Sequence, residues 1–192
     1  MLDLRISTPP SWLTAVFADF DAFILDHAAC ERKASATGMS LVAKYPDKTQ
    51  LIEPLIEFSR EELEHFHIMY RVLARRGLQL ADDYKDAYVN GLRSQMRSST
   101  DELLLDRLLI AGIVEARGCE RLHMVAQALT DEEPELKRVY MDLARAESRH
   151  HALFFRLARF YYSEHEVAER AGRLLDFEAE LVARLPHQAR VH

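Results

Sequence analysis

Residues 62–65 read ELEH and residues 147–150 read ESRH, so each stretch places a glutamate and a histidine three positions apart. In an α-helix, side chains at positions i and i+3 lie on one face. A lone glutamate precedes each motif at a similar distance, Glu31 before the first and Glu115 before the second. The chain therefore carries one pattern twice. Four helices that turn these faces inward would bring four carboxylates and two imidazoles to one buried point.

The surrounding residues distinguish these motifs from chance occurrences. The first shares its helical stripe with apolar residues such as Phe58 and Met69, and the second with Leu143 and Phe154. Two further pairs have the same spacing but align with polar or charged neighbours, which predicts exposed or peripheral positions: Glu64/His67 and Glu120/His123. A plain helical bundle with surface Glu–His pairs would explain any one motif. It does not readily explain the same spacing on two apolar stripes.

The amino-acid composition and the signals that start and end helices predict an all-α chain. Only 6 glycines and 6 prolines are present, and helix-forming residues dominate. The predicted helices run from after Ser11 to about Ala36, from about Lys48 to Arg76, from Ser99 to about Leu129, from Thr130 to about Tyr162, and from Ser163 to before Pro186. A shorter helix or crossover is expected between Asp82 and Arg97. We therefore expect one domain over residues 1–192, a ferritin-like four-helix bundle with one long crossover and an additional C-terminal helix.

Helix boundaries follow from local signals. Gly38 and then residues 45–47, YPD, are expected to break the chain, and Gly77 to end the second long helix. Capping-box patterns open the later helices at Ser99, Thr130 and Ser163. In each predicted hairpin, the lone glutamate and the glutamate of the following motif are equally far from the turn, at residues 46–47 in the first and 130–131 in the second. The two glutamates of each hairpin would therefore lie side by side on antiparallel helices. This agreement supports two helical hairpins that each present one Glu, Glu-x-x-His set.

The chemistry of the donors predicts a two-metal site. Buried carboxylates cost several kcal/mol unless they are paired or bound to metal, and four together repel one another without cations between them. Carboxylate oxygens with one imidazole per metal suit iron or manganese. The predicted ligands are Glu31, Glu62, His65, Glu115, Glu147 and His150. Which carboxylates bridge the metals stays open. Asp26 and Asp142 are weak candidates for orienting the imidazoles, and Cys30 and Cys119 are expected to be small packing residues.

Several classes of protein are disfavoured. The net charge of -6 provides no global attraction to nucleic acid, so a polyanionic partner would need a local basic patch. No apolar run approaches the ~18 residues of a membrane span, and the amino terminus does not resemble a signal peptide. The two cysteines form neither a CxxC motif nor an evident disulfide framework, which fits a reduced cytoplasm. No flavin or nicotinamide fingerprint appears, so electrons for an oxygenase would come from another protein.

Four stretches resemble the MiaE tRNA hydroxylases: residues 26–34 (DHAACERKA), 60–66 (REELEHF), 115–121 (EARGCER) and 147–151 (ESRHH). The similarity extends over roughly residues 10–185. It implies an O2-dependent monooxygenase with two iron ions, manganese being less expected, and the same six ligand residues. The implied substrate is 2-methylthio-isopentenyladenosine beside the tRNA anticodon, hydroxylated on its isopentenyl chain. The implied partners are the tRNA anticodon stem-loop and an external reductase.

Alternatives remain at this point. The same ligand set would serve a ferroxidase, an iron store or a manganese catalase, and a non-enzymatic helical interaction module would make the ligands coincidental. We expect a cytoplasmic monomer. The candidate RNA contacts are arginines near the crossover and on the last two helices, most of which would be ordinary surface charges in a helical protein: Arg93, Arg97, Arg156, Arg159, Arg170 and Arg173.

Overall fold

A computed structural model describes residues 4–130 and 133–192 of the chain. These residues form seven α-helices and no strand, which confirms the all-α prediction. The helices are α1 Pro10–Ala18, α2 Phe20–Lys44, α3 Thr49–Arg75, α4 Ala87–Arg93, α5 Thr100–Ala128, α6 Pro134–Ala158 and α7 Glu164–Arg184. Within the described ranges, no helix combines the length and the apolar character needed to cross a membrane.

The chain divides into two compact units. Unit 1 comprises the N-terminal residues up to Pro10, Lys85–His187 and His192, and its principal feature is the α5–α6 hairpin. Unit 2 comprises Ser11–Tyr84 and Gln188–Val191, and its principal feature is the α2–α3 hairpin. The expectation of a single domain over 1–192 stays a prediction.

In unit 2, the predicted first helix is two helices. Asp19 separates α1 from α2 and caps α2, because its side chain accepts a hydrogen bond from the Ala22 amide. The prediction that Gly38 breaks the chain is wrong, since α2 continues to Lys44. Gly38 is buried where α2 approaches α3, and a Cβ atom there would meet the Ser59 hydroxyl and lie 2.9 Å from the Phe58 ring. Glycine thus permits close packing of the two helices.

The turn after α2 lies where the sequence predicts it. Residues 45–48 connect α2 to α3, so residues 46–47 form the hairpin turn. Pro54 lies in the second turn of α3 without ending it. The α3 helix is followed by Gly77, whose φ of 71° is the left-handed conformation that glycine adopts without a Cβ penalty. Both ends of this hairpin therefore follow from local sequence chemistry.

In unit 1, the predicted starts of the helices agree with the structure in two cases out of three. Ser99 is the N-cap of α5, and Ser163 forms a complete capping box with Glu166 at the start of α7. The predicted start at Thr130 is wrong, because α6 begins at Pro134 with Glu133 as its N-cap. Proline favours the first helical position, where no amide hydrogen is needed. The α6 helix ends at Ala158 rather than Tyr162, and the predicted turn residue Asp131 lies outside the described residues.

Candidate metal centre

The α2–α3 hairpin brings three of the predicted ligands together. Glu31 on α2 and Glu62 and His65 on α3 are all buried. Each offers one donor atom within 4.8 Å of the others. His65 Nδ1 lies 3.6 Å from Glu31 Oε2 and 3.8 Å from Glu62 Oε2. We call these three residues the first triad.

A fourth residue, His27, orients the first triad. Its Nε2 atom lies 2.5 Å from Glu31 Oε1, one helical turn away, and its ring is almost wholly buried. The two carboxylate oxygens of Glu31 therefore have separate partners, since Oε2 is the oxygen near His65. Burial alone would raise the pKa of Glu31, but the charge and the hydrogen bond of His27, together with the nearby imidazole of His65, hold this pKa well below its ordinary value. Glu31 is thus held as a carboxylate.

The α5–α6 hairpin repeats the arrangement. Glu115 on α5 and Glu147 and His150 on α6 each offer a donor atom within 4.8 Å of the others. His150 Nδ1 lies 3.0 Å from Glu147 Oε2. Glu147 and His150 are buried, whereas Glu115 is partly exposed. We call these three residues the second triad. The position equivalent to His27, four residues before the lone glutamate, is occupied by Ala111.

Each triad suits a divalent or trivalent metal ion. Ions held about 2.0–2.2 Å from oxygen and nitrogen donors need those donors at most about 4.4 Å apart. The donor atoms of each triad lie near this range already. Two carboxylates and one imidazole, without thiolate, fit iron or manganese better than a structural zinc site. The assignment of all six residues as ligands stays a prediction.

The alternative Glu-x-x-His pairs lie elsewhere. Glu64 and His67 are exposed, with their side chains 62% and 50% accessible. His123 is exposed and contacts the Gln127 amide. Glu120 is partly buried and accepts hydrogen bonds from the Thr8 hydroxyl and amide. None of these residues lies in the two triads.

Neither aspartate considered for orienting the imidazoles takes that role in the described contacts. Asp26 is buried and accepts a hydrogen bond of 2.8 Å from the Val191 amide, which ties the C-terminal segment to α2. Asp142 is exposed and pairs with Arg145. The sequence prediction did not assign His27 a role in orienting a ligand. Its position one helical turn before Glu31, within the stretch DHAACE, could have indicated that role. Cys119 packs in the core of unit 1, where burial and nearby carboxylates raise the pKa of its thiol to about 11.

Unit 1 also contains two buried ionic clusters that the sequence does not reveal. Arg117 and Glu178 are fully buried and form a two-pronged pair at 2.8 and 2.9 Å, with Tyr88 donating a further hydrogen bond to Glu178. Asp106 is fully buried and accepts hydrogen bonds from Arg97 and Arg170. Burial opposes ionisation of Asp106, but these two arginines keep its pKa below the ordinary value.

The candidate RNA-binding arginines are therefore not equivalent. The guanidinium groups of Arg97 and Arg170 are occupied by Asp106, and Arg170 is mostly buried. Arg159 pairs with Glu164 at 2.6 Å, and Arg173 pairs with Glu169 at 2.7 Å. Arg93 and Arg156 are exposed. The prediction that Arg97 and Arg170 contact RNA is disfavoured, because their charge is neutralised inside the protein.

Comparison with known proteins places the chain in a class and then in a family. A solved structure, "Protein 43 with aldehyde deformylating oxygenase activity from Synechococcus", is 32% identical, with a TM-score of 0.91 over 98% of this chain and 94% of that one. This similarity confirms the ferritin-like fold class. Together with the two triads, it defines a helical oxygenase of the ferritin-like type.

Within this class of ferritin-like oxygenases, the comparisons identify one family. The sequence model of the tRNA-(MS[2]IO[6]A)-hydroxylase (MiaE) family matches residues 2–192, and the chain belongs to this family. A Pseudomonas putida protein named tRNA 2-(methylsulfanyl)-N(6)-isopentenyladenosine(37) hydroxylase is 34% identical, covering 98% of this chain and 91% of that protein. A Salmonella typhimurium protein of the same name is 24% identical, covering 98% and 87%. The resemblance inferred from the sequence is confirmed.

Proposed function

We propose that the chain is an O2-dependent di-iron monooxygenase that hydroxylates the isopentenyl group of 2-methylthio-isopentenyladenosine in tRNA. The observation that carries this proposal is the family match over residues 2–192, in a chain that keeps both triads complete. The Pseudomonas and Salmonella relatives bear the name of this hydroxylase and are matched over most of their length. The proposed reaction consumes O2, two electrons and two protons, and yields the hydroxylated nucleoside and water.

The two triads are the proposed ligands of two iron ions. Their members are Glu31, Glu62 and His65 in the first triad, and Glu115, Glu147 and His150 in the second. The carboxylate-rich donor set would also accept manganese, but oxygenase chemistry in this family favours iron. When bound, the irons supply the activation of O2 that side chains alone cannot provide.

The protein's own side chains orient the ligands and exclude water. His27 holds one oxygen of Glu31 and leaves the other directed toward His65. Buried apolar residues lie one helical turn from the ligands on the same helices, Phe58 and Met69 on α3 and Leu143 and Phe154 on α6. An apolar setting suits an isopentenyl tail and keeps bulk water away from a reactive centre.

The remaining partners follow from the chemistry. The substrate base would leave the anticodon-loop stack to reach the metal site, because an enzyme that modifies a base must take it out of the stack to reach the target atom. Electrons would come from a separate reductase. We place the enzyme in the cytoplasm, where tRNA is modified, and expect it to act as a monomer.

One specific observation supports a second candidate. The Synechococcus structure with aldehyde deformylating oxygenase activity is 32% identical, almost as similar as the Pseudomonas hydroxylase. A second candidate for the same metal site is therefore the deformylation of an aldehyde instead of the hydroxylation of tRNA. The family match over the whole chain favours tRNA.

A substrate panel separates the candidates. Iron-loaded, chemically reduced protein is exposed to O2 with tRNA that carries the unhydroxylated nucleoside, with a long-chain aldehyde, or with excess Fe²⁺ alone. The proposal predicts hydroxylated nucleoside in tRNA digests. Alkane and formate from the aldehyde without nucleoside product would favour the second candidate, and rapid iron accumulation without either product would indicate a ferroxidase. Glu62→Ala should abolish product, whereas Glu64→Ala, on the exposed face, should not.

A further inference from the structure

The outer face of α6 carries a line of arginines. Arg138, Arg145, Arg149 and Arg156 are spaced by seven, four and seven residues, so they lie on one face of the helix, and all four are exposed. With a rise of 1.5 Å per residue, the line spans about 27 Å. We call these four residues the arginine stripe.

The opposite face of the same helix is the buried face that carries Glu147 and His150. Along the stripe, the exposed positions between the arginines are Asp142 and Ala152. Asp142 pairs with Arg145 at 3.1 Å, but both side chains are more than half exposed, at 63% and 70%, so the pair is weak and screened by salt. The stripe therefore presents excess positive charge on a chain whose net charge is -6.

Other arginines of unit 1 do not form a comparable surface. On α7, Arg170 is neutralised by the buried Asp106 and the exposed Arg173 lies beside Glu169, while Arg159, just after α6, lies beside Glu164. The exposed side of α7 is also rich in acidic residues, including Glu164, Glu166 and Asp176. A polyanion would be repelled there and attracted to the stripe.

We propose that the arginine stripe binds the phosphate backbone of the tRNA stem; this inference rests on the proposed function. Guanidinium groups match phosphate oxygens with two parallel hydrogen bonds, and a line of basic residues along one helix is the electrostatic pattern of nucleic-acid binding. Between Arg138 and Arg156 the stripe lacks the exposed aromatic or large apolar side chains that form the centre of protein–protein interfaces. The stripe lies outside the metal-bearing face, so it positions the stem and does not read the modified base.

Salt dependence tests the proposal quantitatively. Each neutralised phosphate contributes roughly -0.9 to the slope of log K against log salt concentration for duplex DNA and roughly -0.7 for single strands, so four contacts give a slope of roughly -3 to -4. Binding of the iron-loaded enzyme to tRNA carrying the unhydroxylated nucleoside is measured by fluorescence anisotropy over a roughly sixfold range of KCl concentration, from about 50 to about 300 mM. Each of Arg138→Gln, Arg149→Gln and Arg156→Gln should reduce the steepness by about one unit.

The matched control is Arg173→Gln, which removes an arginine already paired on α7 and should leave the slope unchanged. The double variant R149K/R156K keeps the charge and should keep most of the slope. Iron content and helical circular dichroism of every variant report whether the fold is intact. If a glutamine variant misfolds, the lysine variant and the remaining single variants still decide the result.

Two results would overturn the inference. Unchanged slopes in all stripe variants, with wild-type enzyme still hydroxylating tRNA, would refute the stripe but leave the proposed function standing. Unchanged tRNA binding with slower reduction by a reduced, acidic [2Fe–2S] ferredoxin would assign the stripe to an electron-transfer protein instead. If wild-type enzyme neither binds nor hydroxylates tRNA, the proposed function fails together with the inference.

Discussion

The α2–α3 and α5–α6 hairpins carry the same ligand pattern but support it differently. In the first, buried His27 hydrogen-bonds Glu31 from one turn away. In the second, the corresponding residue is Ala111, and Glu115 is partly exposed. Each hairpin also contains a glycine at a close helix contact, Gly38 in the first and Gly112 in the second.

This difference shows that ligand identity and ligand orientation are separate properties. A repeated Glu, Glu-x-x-His pattern supplies two similar donor sets, whereas the residue one turn before the lone glutamate differs, His27 in the first hairpin and Ala111 in the second. In the first hairpin, the hydrogen bond with His27 supports the lone glutamate Glu31. The second hairpin is the more open half at its lone glutamate, and its α6 helix carries the arginine stripe on the outside.

The largest expected effect tests whether both hairpins bind metal. His65→Ala and His150→Ala should each reduce bound iron from about two ions per chain, the number typical of such bundles, to one or fewer, and abolish hydroxylation. Loss of an imidazole leaves the triad with two carboxylates as its remaining donors. Iron content by elemental analysis and near-ultraviolet absorption of the oxidised protein are the measurements. His67→Ala and His123→Ala are the controls, and equal loss at His67 would mean that the wrong face of α3 had been assigned.

A second test removes the buried carboxylate of Asp106 on α5, which pairs with Arg97 and Arg170. Asp106→Asn should lower the free energy of unfolding by about 3 kcal/mol at pH 7, because Arg97 and Arg170 lose their buried carboxylate partner. The pKa of Asp106 is lowered in the folded state, so its contribution is present above its ordinary value of 3.8 and is lost as pH falls through the lower folded value. Urea unfolding at several pH values should therefore show the gap to wild type narrowing below pH 3.8.

The exposed Asp142→Asn serves as the control for Asp106 and should change stability by no more than about 0.5 kcal/mol. A gap that stayed constant from pH 7 to pH 3 would show that the carboxylate charge of Asp106 is not what the arginines require.

The third test removes the hydrogen bond between His27 and Glu31. His27→Ala should weaken iron binding about 10- to 100-fold, the usual effect of removing a residue that orients a metal ligand, and His27→Gln should restore part of the affinity by donating a hydrogen bond. Competitive titration with a metal-binding dye measures the affinity without reference to turnover. Ala111→Ser, at the matching position of the second hairpin, should have little effect. Equal affinities for wild type and His27→Ala would leave the two hairpins functionally alike at this position.

The smallest expected effects concern the two close helix contacts. A Cβ atom on Gly38 would lie 2.9 Å from the Phe58 ring, and one on Gly112 would lie 2.8 Å from the Phe155 ring. Gly38→Ala and Gly112→Ala should therefore each cost about 1–2 kcal/mol of unfolding free energy by overpacking. Gly172→Ala meets no atom closer than 3.8 Å and should stabilise α7 by about 0.5–1 kcal/mol. Thermal unfolding of the three variants gives the order, and a stabilising Gly38→Ala would contradict the close contact.

Much of this arrangement was predictable because it depends on local chemistry. The ligand-bearing faces follow from helical periodicity, the end of α3 from the left-handed Gly77, and the start of α7 from the Ser163–Glu166 capping box. These signals lie within one or two turns of the feature they determine.

The features that were missed depend on distant partners. In the sequence, Gly38 cannot be distinguished from a glycine that ends a helix. Its close approach to Ser59 on α3 shows that it is a packing position instead. Arg97 and Arg170 looked like surface charges because nothing local connects them to Asp106. The start of α6 at Pro134 was overlooked because Thr130 offered a competing capping pattern.

A single turnover with ¹⁸O2 tests the proposed hydroxylation most directly. Chemically reduced, iron-loaded protein is mixed with tRNA that carries 2-methylthio-isopentenyladenosine, and the digested nucleosides are analysed by mass spectrometry. Wild-type enzyme should form a hydroxylated nucleoside that carries one ¹⁸O atom on its isopentenyl group, and His65→Ala and His150→Ala should form none. Product without the label, or no product while the iron is oxidised, would contradict the proposed hydroxylation.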